Sequence, residues 1–265
     1  MTSAATDSTD SKERFSSRVD AYRQFRPRYP AQVIDLLQQQ CGLTRSSIIA
    51  DIGAGTGMLS EIFLQHGNSV FAVEPNPAMR AACEELRSKY PSLTCIDGSA
   101  EATRLPDHCA DFVTVGQALH WFNLERARTG FVRILQPGGW CAVIYNERRT
   151  GGDPFHDGYE RILREFGSDY EAVRGKYPQQ QKLEDFFDAK NGATPTMQHA
   201  SFPNAQEFNL NGLLGRILSS SYIPQPSHPR YPAMFRAIKE LFSRCQQDGH
   251  VRLEYDCALT YGRLA

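Results

Sequence analysis

Two acidic residues and a run of glycines are the first groups in this sequence whose types and spacing suit chemistry. Asp51 lies in the apolar run Ile48–Ile52, and Gly53, Gly55 and Gly57 follow it at alternate positions. Glycines permit positive φ and let a ligand approach the main chain closely. The segment therefore reads as a buried parallel strand, a tight loop and the start of a helix over Met58–Gln65, and such loops are where open α/β sheets bind ligands. Glu74 closes a second β-prone run, Ser69–Val73, and stands 21 positions after Gly53. A carboxylate at that place can accept both hydroxyls of a ribose, which points to a nucleoside ligand without identifying it. A dinucleotide loop wants G-x-G-x-x-G, whose third glycine would fall at position 58, where Met58 stands.

Further along, Gln117-Ala118-Leu119-His120-Trp121-Phe122 leaves the strand read at Asp111–Gly116, so His120 and Trp121 point toward the ligand crevice. Tyr145 ends the next strand, Trp140–Tyr145, and Arg148 and Arg149 follow. An arginine fork suits a carboxylate, although both arginines also read as ordinary surface charges. Ahead of the glycine loop, Tyr22, Arg26 and Tyr29 read either as packing of a leading helix or as a lid in which Arg26 holds a carboxylate. Trp121, Phe155 and Tyr222 suggest an apolar cap and hence a small, partly hydrophobic substrate.

The elements that position these groups follow from periodicity. Phe15, Val19, Tyr22 and Phe25 form a helical stripe that Pro27 and Pro30 end, and Ala31–Gln40 is a second helix. Asn76 caps a helix whose first residue is Pro77 and whose first turn carries Met79. Leu93–Ile96 is a third strand, followed by the small-residue loop Asp97-Gly98-Ser99-Ala100-Glu101, suited to bonding a purine through backbone groups. Leu124–Leu135 is a helix closed by Pro137-Gly138-Gly139. Five strands alternating with helices predict a parallel, doubly wound sheet. Beyond Gly151-Gly152-Asp153-Pro154 the pattern is less regular. It gives a helix over Phe155–Phe166, a loop over Gly175–Gln181, a strand over Met197–Phe202, a helix over Phe208–Ser221, a proline-rich loop to Pro232, a helix over Ala233–Cys245 and a strand over Val251–Tyr261.

The chain is expected to form a single domain after a disordered tail (1–13). Residues 14–40 would be lid helices, 41–149 the cofactor-binding core, 150–232 a cap that sets substrate specificity, and 233–265 a closing helix and strand. Net charge is −1 over 265 residues, with 41% hydrophobic and 22% charged residues, so no global field draws nucleic acid or an anionic membrane. No apolar run reaches the roughly 20 residues that span a bilayer. The start of the chain lacks the pattern of a signal peptide, and the seven cysteines form no metal-like spacing. A cytoplasmic protein with reduced thiols, no metal and a small-molecule substrate is the expectation, as a monomer or homodimer.

Asp51-Ile-Gly-Ala-Gly-Thr-Gly57, Val73-Glu74-Pro-Asn76, Gly98-Ser-Ala-Glu101, Gln117-Ala-Leu-His120-Trp121-Phe122 and Leu135-Gln-Pro-Gly-Gly139 occur in this order. Taken together they resemble the class I S-adenosylmethionine-dependent methyltransferases. The lead Tyr22-Arg-Gln-Phe-Arg26-Pro-Arg-Tyr29-Pro30 and the His-Trp-Phe segment resemble the branch of trans-aconitate methyltransferase-like enzymes. The resemblance implies a Rossmann-like α/β sheet of seven strands, the last antiparallel, with an inserted helical cap.

It also implies S-adenosylmethionine as cofactor and S-adenosylhomocysteine as product. Asp51, Gly53, Ala54 and Gly55 would cradle the methionine part, with Gln117 beside it. Glu74 would bind the ribose, and Pro75, Asn76 and Met79 would border the adenosine. Ser99, Ala100 and Glu101 would lie along the adenine, and Tyr22 and Arg26 would close the site. Where many relatives carry an aspartate to accept from the adenine amino group, this chain has Ser99, a weaker acceptor. Tyr29, His120, Trp121, Tyr145, Arg148 and Tyr222 would face the substrate. His120 is the candidate base and Tyr145 a second polar group at the crevice mouth, while a carboxylate acceptor would need no base. A non-catalytic scaffold that binds the same cofactor, and a nicotinamide-dependent oxidoreductase, are the two alternatives.

Overall fold

The computed structural model describes residues 19–177, 180–187 and 197–264; the expected tail (1–13) and Phe15 of the leading helix lie outside the described residues. The elements in chain order are α1 (Val19–Phe25), α2 (Gln32–Cys41), β1 (Ile48–Ile52), α3 (Met58–His66), β2 (Ser69–Val73), α4 (Pro77–Glu84), β3 (Leu93–Ile96), β4 (Ala110–Gly116), α5 (Leu124–Ile134) and β5 (Leu135–Arg148). They continue with α6 (Pro154–Phe166), α7 (Tyr170–Lys176), α8 (Gln180–Phe187), β6 (Gln198–Phe208), α9 (Leu210–Leu218), α10 (Tyr231–Cys245) and β7 (Val251–Gly262).

The seven strands form one sheet in the order β3-β2-β1-β4-β5-β7-β6. β1 to β5 pair in parallel, and β7 runs antiparallel to both β5 and β6. The chain winds outward from β1 through β2 to β3 and then returns to place β4 on the other side of β1. That reversal opens a crevice at the carboxyl ends of β1 and β4.

The helices begin where short polar side chains can satisfy orphan N–H groups. Asn76 accepts from the N–H of Ala78 and Met79 (2.9 and 3.0 Å), and Pro77 fills the first position of α4. Asn123 caps α5, Asp153 caps α6 and Asn209 caps α9 in the same way.

Three apolar clusters follow from the layers. One covers a sheet face under α2 and α3, and includes Val33, Leu37, Ile49 and Phe63. The second covers the opposite face under α5, with Phe131 and Ile134, and takes in Leu183, Phe186 and Phe187 of α8. The third is formed by α6, α9 and α10 over Val251, Leu253 and Tyr255 of β7.

Two expectations about the second half are corrected. The stretch Gly175–Gln181, read as loop, contains the end of α7 and the start of α8, with 178–179 outside the described residues. The strand read at Met197–Phe202 runs on through Pro203 to Phe208. β6 is an edge strand, where a missing N–H is tolerated.

Candidate active site

The loop after β1 is held from two sides. The N–H groups of Gly53 and Ala54 donate to the Val73 carbonyl (2.9 and 3.2 Å), and the Gly55 N–H donates to Glu74 Oε2 (2.8 Å). The other oxygen of Glu74 accepts the Asn76 N–H at 2.8 Å. One carboxylate thus ties the glycine loop to the start of α4, and two of its roughly four acceptor positions are taken. Burial raises the pKa of Glu74, opposed by the N–H groups of Asn76 and Gly55.

Asp51 is fully buried and accepts from the hydroxyls of Ser60 (2.6 Å) and Thr114 (3.3 Å). Burial pushes its pKa up to about 6, with those two hydroxyls acting in the opposite direction. A side chain at Gly55 would project into open space, whereas a Cβ at Gly53 would meet Ala118 Cβ at 2.8 Å. The first glycine is therefore required by packing, and the second leaves the main chain bare toward the crevice.

The crevice is lined by Tyr22, Arg26, Pro27, Tyr29, Asp51, Gly53, Ala54, Gly55, Thr56, Met58, Leu59, Gly116 and Gln117. Gln117 adopts φ = 55°, a left-handed conformation that costs a side-chain-bearing residue energy. Its N–H donates to the Ile144 carbonyl and its Nε2 to the Asn146 carbonyl (3.1 Å). Gln117 Oε1, Thr56 Oγ1 and Arg26 Nε are buried without a hydrogen-bond partner.

Arg26 is fixed over the Tyr22 ring at 4.9 Å and donates from Nη2 to the Ser219 carbonyl at 3.0 Å. The Tyr29 hydroxyl lies 2.6 Å from where a Cβ of Gly116 would stand, and burial raises its pKa well above the usual phenol value. The lead residues are joined to the sheet by Asn146, whose Nδ2 reaches the Pro27 and Arg28 carbonyls.

The residues expected beside the adenosine lie outside this enclosed part. Met79 is buried at the first turn of α4. Ser99 exchanges both backbone hydrogen bonds with Ala102, so its N–H is already used within the loop. Ala100 is 2% exposed and its carbonyl lies 3.1 Å from where a Cβ of Gly130 would be, so it packs against α5. Glu101 Oε1 accepts the Asn123 N–H at 2.8 Å, which anchors the start of α5.

On the substrate side, His120, Trp121 and Tyr145 come together. The Tyr145 hydroxyl accepts the His120 N–H at 3.3 Å and lies 3.1 Å from Nδ1 of the same residue. The His120 ring is 4.7 Å from Trp121. Burial raises the Tyr145 pKa well above its ordinary value, so the phenol stays protonated. Tyr177 completes the cluster, 4.7 Å from His120 and edge-on to Tyr145 at 5.4 Å. Sequence reasoning missed Tyr177 because it falls in a stretch read as loop, and no periodicity marks it.

Arg148 and Arg149, adjacent in sequence, part company. Arg149 is at the surface, paired with Asp256 (2.7 Å) and Glu254 (3.0 Å). Arg148 is turned inward, with 12% of its side chain exposed, and donates to Glu160 (2.7 Å) and the Tyr170 hydroxyl (2.8 Å) over the Tyr159 ring. Tyr222 packs on Tyr170 at 5.0 Å, and Phe155 is buried in the cap cluster.

Residues 50–143 match a family model described as a methyltransferase domain. An uncharacterized methyltransferase-like protein of Schizosaccharomyces pombe is 35% identical over 135 residues, 51% of this chain and 52% of that one. An uncharacterized methyltransferase of Mycobacterium tuberculosis is 37% identical over 134 residues, again 51% and 52% of the two chains. The chain thus spans about half the length of the relatives it matches.

Among solved structures, a candidate type II methyltransferase from Anaeromyxobacter dehalogenans superposes with a TM-score of 0.64 at 21% identity, over 91% of this chain and 98% of that one. Phosphoethanolamine N-methyltransferase 2 of Haemonchus contortus, solved with S-adenosyl-L-methionine, gives 0.57 at 14% identity, over 100% of this chain and 61% of that one. The chain has the fold of the class I S-adenosylmethionine-dependent methyltransferases. None of these four proteins carries the name of the trans-aconitate branch.

Proposed function

We propose that this protein transfers a methyl group from S-adenosylmethionine to an oxygen of a small molecule, a carboxylate or a hydroxyl. The observation that carries the proposal is the crevice at the switch between β1 and β4. There a bare Gly55 and the orphaned Gln117 Oε1 and Arg26 Nε face one space, and Glu74, with acceptor capacity left, lies behind the loop and accepts the Gly55 N–H. These groups fit the cofactor. Glu74 suits the ribose hydroxyls, Gln117 Oε1 an ammonium group and Arg26 a carboxylate.

When bound, S-adenosylmethionine supplies a methyl already activated on a sulfonium. The chain then has to align the acceptor and exclude water. Tyr22, Arg26 and Tyr29 close one wall, and the rings of Trp121, Tyr145 and Tyr177 line the acceptor side around His120. Tyr145 fixes the orientation of the His120 ring, and His120 takes the proton of a hydroxyl acceptor.

The test is calorimetric titration with S-adenosylmethionine, S-adenosylhomocysteine and NAD, on wild type and Glu74→Ala. Both sulfur nucleosides are expected to bind and NAD to show no heat, with affinity reduced at least about a hundredfold in the variant. Binding of NAD alone would overturn the proposal.

A further inference from the structure

Arg216, on α9, is 6% exposed. It donates from Nε to the Tyr255 hydroxyl (3.0 Å) and from Nη1 to Ser220 Oγ (3.4 Å), both neutral groups. Tyr255 in turn donates to Gln206 Oε1 at 2.9 Å. Among the described residues no carboxylate pairs with Arg216. A buried guanidinium without a counter-ion is costly, and such charges are otherwise paired. As a brace between α9 and β7 a neutral amide would serve, so the charge itself is what remains unexplained.

The surroundings add to the same side of the balance. Tyr159, 1% exposed, keeps its hydroxyl without a hydrogen-bond partner, and so does Arg148 Nη1 above its ring. Glu160 is the carboxylate beside them, and it is shared by Arg148 (2.7 Å), Arg164 (3.0 Å) and Arg174 (2.6 Å). One negative charge faces three cations, of which Arg164 also has Glu171. Arg148 and Arg216 both act on Tyr159, whose pKa burial raises and the two guanidiniums lower.

The cluster also reaches the reaction site. Arg26 donates to the Ser219 carbonyl, next to the Ser220 that Arg216 touches. Tyr177, in contact with His120 and Tyr145, has its pKa raised by burial and drawn down by both Arg26 and Arg216. Its ring packs against His120 and Tyr145 while 37% of its surface stays accessible, so a ligand can reach the border of the cluster.

We infer that Arg216 is a specificity-determining residue. It takes an anionic group of the methyl acceptor, a carboxylate or a phosphate, with the Tyr159 hydroxyl and Arg148 Nη1 as neighbouring donors, while the atom to be methylated faces His120. The inference rests on the methyl-transfer reading and adds a second recognition point to it.

The experiment titrates succinate, inorganic phosphate and neutral succinamide into the full chain, with and without saturating S-adenosylhomocysteine. Succinate or phosphate is expected to bind and to raise Tm, and succinamide to do neither. Which anion binds separates carboxylate from phosphate recognition. Arg216→Gln is expected to weaken the anion at least about tenfold with S-adenosylhomocysteine affinity unchanged. Arg216→Lys, which keeps the charge and loses the fork, is expected to fall between.

The inference is overturned if neither anion binds wild type, if succinamide binds as well as succinate, or if Arg216→Gln retains the anion. Should Arg216→Gln fail to fold, the lysine variant and the anion-against-amide contrast in wild type still decide. Failure of wild type to bind S-adenosylhomocysteine would strike the methyl-transfer reading instead, and is recorded separately from the anion arms.

Discussion

The crevice between β1 and β4 and the polar cluster under α6 and α9 are neighbours built by different means. In the crevice the main chain makes the shape. Gly53 and Gly55 have positive φ, Glu74 is held by two N–H groups, and Gln117 is turned by its own backbone. In the cluster the arrangement comes from long side chains that meet from far apart in sequence. Arg216 meets Tyr255 across 39 positions, and Arg148 meets Tyr170 across 22. A backbone-built site suits a ligand that never changes, and a side-chain-built one can be re-specified by single substitutions without disturbing the first.

His120 stands at the border, so it gives the sharpest test of that separation. His120→Ala is expected to lower kcat about 10²- to 10⁴-fold with a hydroxyl acceptor while S-adenosylhomocysteine affinity stays the same. A parallel loss of cofactor affinity would show that the two regions are not independent.

The next effect belongs to the crevice and reads in pH. Burial pushes the Asp51 carboxyl up to about 6 from its ordinary value of 3.8, so its ionisation opposes folding. Stability from this group is greatest below about pH 4, falls by roughly 3 kcal/mol as pH rises to about 6, and is level above that. Denaturant midpoints measured from pH 4 to 7 should show this slope in wild type and lose it in Asp51→Asn.

Arg148 and Arg149 give a comparison within one stretch of chain. Arg148→Met should cost about 2 kcal/mol, because it removes a buried partner of Glu160 and Tyr170. Arg149→Met should leave Tm where it is, since its pairs are exposed to water. Thermal unfolding of both variants side by side checks this.

A smaller effect than that of Arg148→Met is expected at Gln117. Gln117→Gly relieves a left-handed side-chain-bearing residue, so Tm should not fall, while S-adenosylhomocysteine binding weakens about tenfold. Calorimetry and thermal unfolding on one sample separate the two.

What could be read from the sequence divides along the same line. Asp51, the three glycines, Glu74 and the Asn76-Pro77 cap lie in short local patterns whose spacing is set by backbone geometry. The strands through Tyr145 were legible for the same reason, as runs of fixed period. The cluster around Arg148 and Arg216 was not. Arg148 and Arg149 are indistinguishable as letters, and only the path of β5 and the position of Glu160 turn one inward and leave the other at the surface.

Arg216 carries little local signal: Ser220 is only four positions on, but Tyr255, its shorter contact, lies on β7, 39 positions away. Ser99, Ala100 and Glu101 show the converse. Their spacing fits a purine loop, and the structure adds that the Ser99 N–H, the Ala100 carbonyl and one Glu101 oxygen already meet Ala102, Gly130 and Asn123. Composition cannot reveal which backbone groups a loop has already used.

The Asn146 tie has a consequence for how the chain is made. The carbonyl of Arg28 is reached by Asn146, 118 positions later, and by Asn204, 176 positions later. At synthesis rates of 5–20 residues per second, the lead waits on the order of ten to thirty seconds for its last anchor. Tyr22, Arg26 and Tyr29 are made well before Asn146 and Asn204, so the nascent chain has a glycine loop long before it has a closed crevice.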